Sequence, residues 1–121
     1  MRFFHAQRSC SAASHIVLEE IGAPYEAIAI DFSAGEQRGE AFLAVNSRGK
    51  VPVLCDGPDT ITENVAIQFY LTEKFPEASL SPVDLRARAR WLSTLAWLAS
   101  TVQSFVKDTA TPENYTEDPA G

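Results

Sequence analysis

Residues 2–31 leave little choice of architecture. Phe3 and Phe4 lie in a short apolar run, residues 2–5, that reads as a strand. A polar turn follows, and residues 12–21 then read as a helix. Ile16, Val17 and Ile21 fall near one face, with Glu19 and Glu20 near the other. Ser9 or Ser11 is placed to cap its start. Gly22 sits at its end, where a left-handed cap suits glycine, and Pro24 stops continuation. Residues 25–31 alternate with Ile28 and Ile30 in register, giving a second strand. Strand, helix and strand in so short a span form a βαβ unit. Its strands are expected to be parallel and its crossover right-handed.

The rest of the chain extends this α/β pattern. Residues 33–40 form a polar loop, and residues 40–45 a short helix ended by Asn46-Ser47-Arg48-Gly49. Residues 51–55 read as a third strand beginning at a proline, Pro52, which suits a strand's first residue or an edge. A turn over 56–59 leads to a short fourth strand at 60–62, closing a hairpin. Glu63 opens a helix with Val65, Ala66, Phe69 and Tyr70 at helical spacing, ending at Phe75 before Pro76. Residues 76–84 read as a linker and a domain boundary. Asp84 is placed to cap a long helix over 85–106. Its stripe of Trp91, Leu95, Leu98, Val102 and Phe105, widened by Leu92, Ala99 and Val106, is broad enough to pack against more than one neighbour. The tail from Thr109 is polar. The expected organisation is an α/β domain over 1–80, then a first long helix opening an all-helical domain over 84–121.

Charge and composition narrow the function classes. The chain has 121 residues, 45% hydrophobic and 21% charged, as a globular protein does. A net charge of −6 argues against nucleic acid as a partner. No apolar run is long enough to span a membrane, and the N-terminus lacks the pattern of a secretory signal. Cys10 and Cys55 make no disulfide framework and suit a reducing cytoplasm, although their separation, and so a bridge between them, is not given by sequence. His5, Cys10, His15 and Cys55 are the soft metal-ligand candidates. None falls into a zinc spacing, so no metal is expected.

Cys10 carries the chemistry. It stands where the first helix begins, among unpaired N–H groups and at the positive end of the helix dipole. Both favour thiolate over thiol. Such a sulfur can attack, or can stabilise another sulfur beside it; the alternative is a small packed residue.

Three stretches resemble glutathione S-transferases. Cys10-Ser11-Ala12-Ala13-Ser14-His15-Ile16-Val17-Leu18-Glu19-Glu20 is similar to the start of the bacterial beta class. Residues 42–54, including Asn46-Ser47-Arg48-Gly49-Lys50-Val51-Pro52, are similar to the family's most recognisable segment, and Ile61-Thr62-Glu63-Asn64-Val65-Ala66-Ile67 to its third signature. The resemblance covers residues 1–80 and implies a thioredoxin-like βαβ-α-ββα fold. It implies a cis bond before Pro52, which turns the Val51 backbone toward the cysteinyl backbone of glutathione. It gives Asn64 and nearby N–H groups the γ-glutamyl carboxylate, Glu63 the peptide's amino group, and Cys10 the glutathione sulfur. Glu63 and Asn64 have the alternative of simply capping a helix. Lys50 reads as a solvated charge, Cys55 as core, Tyr25 and Tyr70 as packing residues, His15 as structural, and His5 as strand-end packing.

Some residues depart from the pattern. The turn before Cys10 is proline- and glycine-bearing in this class, whereas here it is Gln7-Arg8-Ser9. The loop at 33–38 lacks the lysine that meets the glycyl carboxylate, with Arg38 as a substitute. On the long helix, Ser93 and Ser100, or Ala96 and Gln103, stand where an asparagine and a histidine reach the other subunit. The chain is expected to be truncated, with the exposed face of its long helix buried in a homodimer. The implied function is glutathione conjugation to hydrophobic electrophiles, or glutathione-dependent thiol exchange with a disulfide. Glutathione would be co-substrate, in cytoplasmic detoxification. A non-catalytic glutathione-fold scaffold module is the alternative, and a monothiol glutaredoxin-like reductase a third reading, since Cys10-Ser11-Ala12-Ala13 has no second thiol.

Overall fold

A computed structural model describes residues 1–102. Gln103, Phe105, Val106 and the tail from Thr109 lie outside the described residues. The element order is β1 (Arg2–His5), α1 (Ala12–Ile21), β2 (Glu26–Ala29), α2 (Glu40–Val45), β3 (Val53–Asp56), β4 (Asp59–Thr62), α3 (Asn64–Lys74) and α4 (Leu85–Trp97). Single 3₁₀ turns occupy Glu36–Arg38 and Pro76–Ala78.

The sheet runs β2-β1-β3-β4. β1 pairs parallel with β2, Phe4 opposite Ile28, and antiparallel with β3, Phe3 opposite Leu54. β4 closes the antiparallel hairpin with Leu54 opposite Ile61. Side chains alternate across a strand, so neighbouring residues feed different cores. Phe3 and Leu54 join Leu18 of α1 and Ile67 and Leu71 of α3. Phe4, Val53 and Cys55 turn the other way, to Phe42 of α2, Ile30 and Val51. Two helices thus cover one face and one helix the other, which is the thioredoxin-like arrangement.

Local chemistry explains where elements stop. Gly22 takes the left-handed conformation at φ 76° and donates its N–H to Leu18 O, closing α1. β3 starts at Val53 rather than Val51, because Pro52 has no N–H to give the ladder and follows a cis peptide bond. α3 starts at Asn64, one residue later than the pattern suggested, because Glu63 sits at φ 78° and cannot join a helix. Ser11 does not cap α1 through its side chain, whereas Ser9 Oγ accepts from Ser11 N at the helix start. Ser11 itself has helical dihedrals, and its hydroxyl is drawn back to Ala6. Asp84 does cap α4, accepting from Ala87 N at 3.0 Å.

The long helix is α-helical only to Trp97 and π-helical over Leu98–Val102. Ser100 Oγ donates to Ala96 O there and competes with the backbone ladder. Trp91, Leu92 and Leu95 are half-buried, whereas Val83, Leu85, Trp97 and Leu98 are exposed. An Arg88–Glu73 ion pair and the Arg88 guanidinium over the Phe69 ring hold the start of α4 against α3. Asp56 accepts from both Tyr70 and Lys74 of α3. The Lys74 bond, then the Tyr70 bond, holds its carboxyl below the usual range. Among the described residues no helix is long and apolar enough to cross a membrane.

Candidate functional site

Three segments distant in sequence converge beside Cys10. The first is the turn between β1 and α1. Serine hydroxyls knit it. Ser9 Oγ donates to Ala6 O at 2.8 Å and accepts from Ser11 N at 3.2 Å. Ser11 Oγ accepts from Ala6 N at 3.1 Å. Arg8, just before Ser9, lies at φ 57°, a conformation that suits glycine better than a side-chain-bearing residue. That is physically in line with the glycine-bearing turn the resemblance led one to expect there. The two hydroxyls are engaged in holding the turn, while Cys10 is exposed and forms no disulfide. Cys55 is buried in the core, as expected, with Sγ 3.9 Å from Thr60 Oγ1.

The second segment runs from Asn46 to Pro52. Asn46, almost fully buried, accepts from Arg48 N at 3.1 Å and donates to Lys50 O at 2.8 Å, shaping the loop that presents Val51. Gly49 is at φ 65°, and a Cβ there would stand 2.8 Å from Gln37 O, so a side chain is excluded twice over. Val51 and Pro52 are joined by a cis bond and both are buried. The Cys10 thiol donates to Val51 O at 3.6 Å.

The third segment is the start of α3. Glu63 is exposed and held at φ 78°, ψ 132°. Asn64 follows as the first helical residue. Its Nδ2 donates to Cys10 O at 2.9 Å, and its Oδ1 accepts from Ser14 Oγ at 2.6 Å. The structure therefore brings Cys10, Val51, Pro52 and Asn64 together and places Glu63 beside them in the chain.

Sequence reading missed Ser14, Gln37 and Asn46. Ser14 is fully buried and bonds across to α3; its position one turn after Cys10 was the available signal. Gln37 is 2% exposed and, among the described residues, neither its Oε1 nor its Nε2 has a hydrogen-bond partner. Buried amides are ordinarily satisfied, which sets Gln37 apart from the other buried polar side chains described. Arg38, the substitute suggested by sequence, is exposed, with its guanidinium over Gly35. Among the described residues no cluster of three metal-ligating side chains exists.

A second cluster lies behind β1. His5 and His15 rings are 4.7 Å apart, with Phe3 stacked on His5 and the Tyr25 ring edge-on to His15. Burial, then the nearby His15, lowers the His5 pKa from its ordinary value. The unfolded chain regains that ordinary value, about 6.5, and so takes up the proton first as pH falls. Above that value His5 contributes no pH dependence. Stability is expected to decline as pH drops below it, until native His5 protonates too. Urea midpoints measured between pH 8 and 5 should show this slope, and His5→Phe should flatten it. Equal slopes in both proteins would refute the assignment.

Residues 1–73 match the family model for the glutathione S-transferase N-terminal domain. Glutathione S-transferase GstA of Escherichia coli O157:H7 is 33% identical, over 95% of this chain and 60% of that protein. A zeta-class glutathione S-transferase of Euphorbia esula is 38% identical over 72% of this chain and 39% of its own length. Among solved structures, a sphingomonad glutathione S-transferase complexed with glutathione superposes with a TM-score of 0.81 at 36% identity, covering 96% of this chain and 59% of that one. The chain thus spans 60% or less of the length of these relatives. The matched residues carry the whole sheet and the three segments around Cys10, and on that match the chain belongs to the glutathione S-transferase family.

Proposed function

We propose that this chain builds the glutathione site of a bacterial, beta-class-like transferase, with Cys10 facing the glutathione sulfur. The observation that carries the reading is the 3.6 Å approach of the Cys10 thiol to Val51 O. A peptide laid along Val51 as an added strand would have its cysteinyl residue bonded by that backbone and its sulfur beside Cys10. Pro52 keeps this backbone turned out of the sheet. The start of α3 offers amide N–H groups and the positive helix end to the γ-glutamyl carboxylate. Glu63 pairs with the peptide's ammonium group. The glutathione complex of the sphingomonad relative supports the same ligand class.

Two chemistries fit such a site. In exchange, the Cys10 thiolate attacks one sulfur of a disulfide substrate, forms a mixed disulfide and expels the other sulfur as thiolate. Glutathione thiolate then attacks the mixed disulfide, releasing the Cys10 thiolate. In conjugation, the glutathione thiolate attacks a hydrophobic electrophile and displaces its leaving group, while Cys10 donates a hydrogen bond to that sulfur. No metal enters either route. A homodimer covering the exposed apolar residues of α4, and a reducing cytoplasm keeping Cys10 as a thiol, complete the proposal.

Glu63 provides a direct test. A non-glycine residue at φ 78° costs about 1–3 kcal/mol of backbone strain. Such strain at an exposed acid fits a binding role. Glu63→Gly is expected to raise the urea midpoint, by about 1 kcal/mol in stability. In calorimetric titration with reduced glutathione it should weaken binding about tenfold or more, because a charge-assisted bond is lost. Unchanged affinity would remove Glu63 from the site. No binding by the folded parent chain would sink the glutathione reading and leave the scaffold module in its place.

A further inference from the structure

We propose that Asn64 is a positioning residue for Cys10: its carboxamide, aligned by the buried Ser14 hydroxyl, braces the Cys10 carbonyl and fixes where the thiol stands relative to the start of α3. The inference rests on the reading of Cys10 as the reactive thiol, and it alters the role first expected of Asn64. The side chain expected to hold a ligand carboxylate is instead engaged within the protein at both ends.

The geometry is specific to a carboxamide. Cys10 O offers only lone pairs, so it must face the amide nitrogen, and Nδ2 meets it at 2.9 Å. The oxygen is then directed at Ser14, whose hydroxyl donates at 2.6 Å. An aspartate cannot donate to the carbonyl, and a hydroxyl side chain has no second polar atom to reach Ser14. Ala13 N also donates to Cys10 O, at a longer 3.3 Å, so Asn64 makes the shorter of these two bonds. Ser14 is fully buried and cannot touch a ligand itself.

The consequence is a fixed relation between two helix starts. Cys10 precedes α1, and Asn64 is the first residue of α3. The brace ties the backbone beneath the sulfur to the place where the γ-glutamyl end would bind. Both positive helix ends are thereby held in one arrangement toward the same ligand. It also fixes the height of the sulfur at Val51 O. Without it, the Cys10 carbonyl loses its tie to α3 and the thiol can withdraw from the α1 terminus.

The test compares Asn64→Ala and Ser14→Ala with the parent 121-residue chain. Iodoacetamide alkylation of Cys10 is followed by peptide mass spectrometry across pH, without glutathione, and thermal melts report folding. Both variants are expected to move the alkylation midpoint to higher pH, slowing the reaction below the midpoint by about fivefold, as loss of one hydrogen bond implies. A merely stabilising contact would lower the melting temperature and leave the midpoint in place. A ligand contact would weaken glutathione binding in Asn64→Ala alone, again without moving the midpoint. An unmoved midpoint in folded Ser14→Ala overturns the proposal, and that variant carries the test should Asn64→Ala not fold. Because no glutathione is present, failure of the glutathione reading would appear separately, as absent binding by the parent chain.

Discussion

Cys10→Ser is expected to abolish thiol exchange, with glutathione-dependent reduction of hydroxyethyl disulfide falling by about two orders of magnitude or more. Exchange needs a protein thiolate that can form and release a mixed disulfide, and a serine hydroxyl does neither. Among the described residues, the serines next to Cys10 are already committed elsewhere. Ser9 and Ser11 are bonded to the Ala6 backbone, and Ser11 and Ser14 are buried. Conjugation of glutathione to 1-chloro-2,4-dinitrobenzene should respond differently. There the attacking sulfur belongs to glutathione, and a serine can still donate a hydrogen bond to it. A loss within about tenfold is expected, the scale of one bond to a charged group. The contrast separates the two chemistries. Equal exchange rates in parent and variant would remove Cys10 from catalysis.

Leu54→Ala should cost about 2–5 kcal/mol of stability, the range for emptying a packed leucine site. Leu54 is fully buried in β3, opposite Phe3 and Ile61 in the ladder, and packs with Leu18, Ile67 and Leu71. It therefore joins both inner strands to both helices on that face, and the cavity cannot collapse without shifting one of them. A domain of this size has about 5–15 kcal/mol in total, so the urea midpoint should fall sharply. Val83→Ala is the control. Val83 is 92% exposed, so its change should stay within about 0.5 kcal/mol. Similar midpoints for the two variants would show that the Leu18–Leu54–Leu71 cluster is not the stabilising core.

Much of the fold is legible from local pattern. The strand at 2–5, the helices at 12–21 and 40–45, the left-handed Gly22 and the Asp84 cap all appear where the residues place them. These features depend on interactions within about one helical turn or on the preferences of single residues. The misreadings share a cause. By type either Ser9 or Ser11 can cap α1, yet the Ser11 hydroxyl goes to the Ala6 backbone across the turn. Glu63 was read as helical because nothing in its neighbours announces a positive φ. The serine turn and the burial of the Gln37 amide likewise depend on what folds over them.

By itself, then, the sequence determined the elements, their order and the family, because periodicity, turn residues and three motifs are written along the chain. The tertiary structure decided which strands are neighbours and what each site residue touches. Val51 lies 41 residues from Cys10, and Asn64 lies 54 from it, yet both bond to it. No local preference encodes contacts at such separations. They arise when β3 pairs beside β1 and α3 packs against α1, burying Leu54, Leu18 and Ile67 together. Asn64 shows the difference most clearly. Its type and position mark it as a site residue, while only the packing of α3 on α1 brings its amide to Cys10 O and the Ser14 hydroxyl.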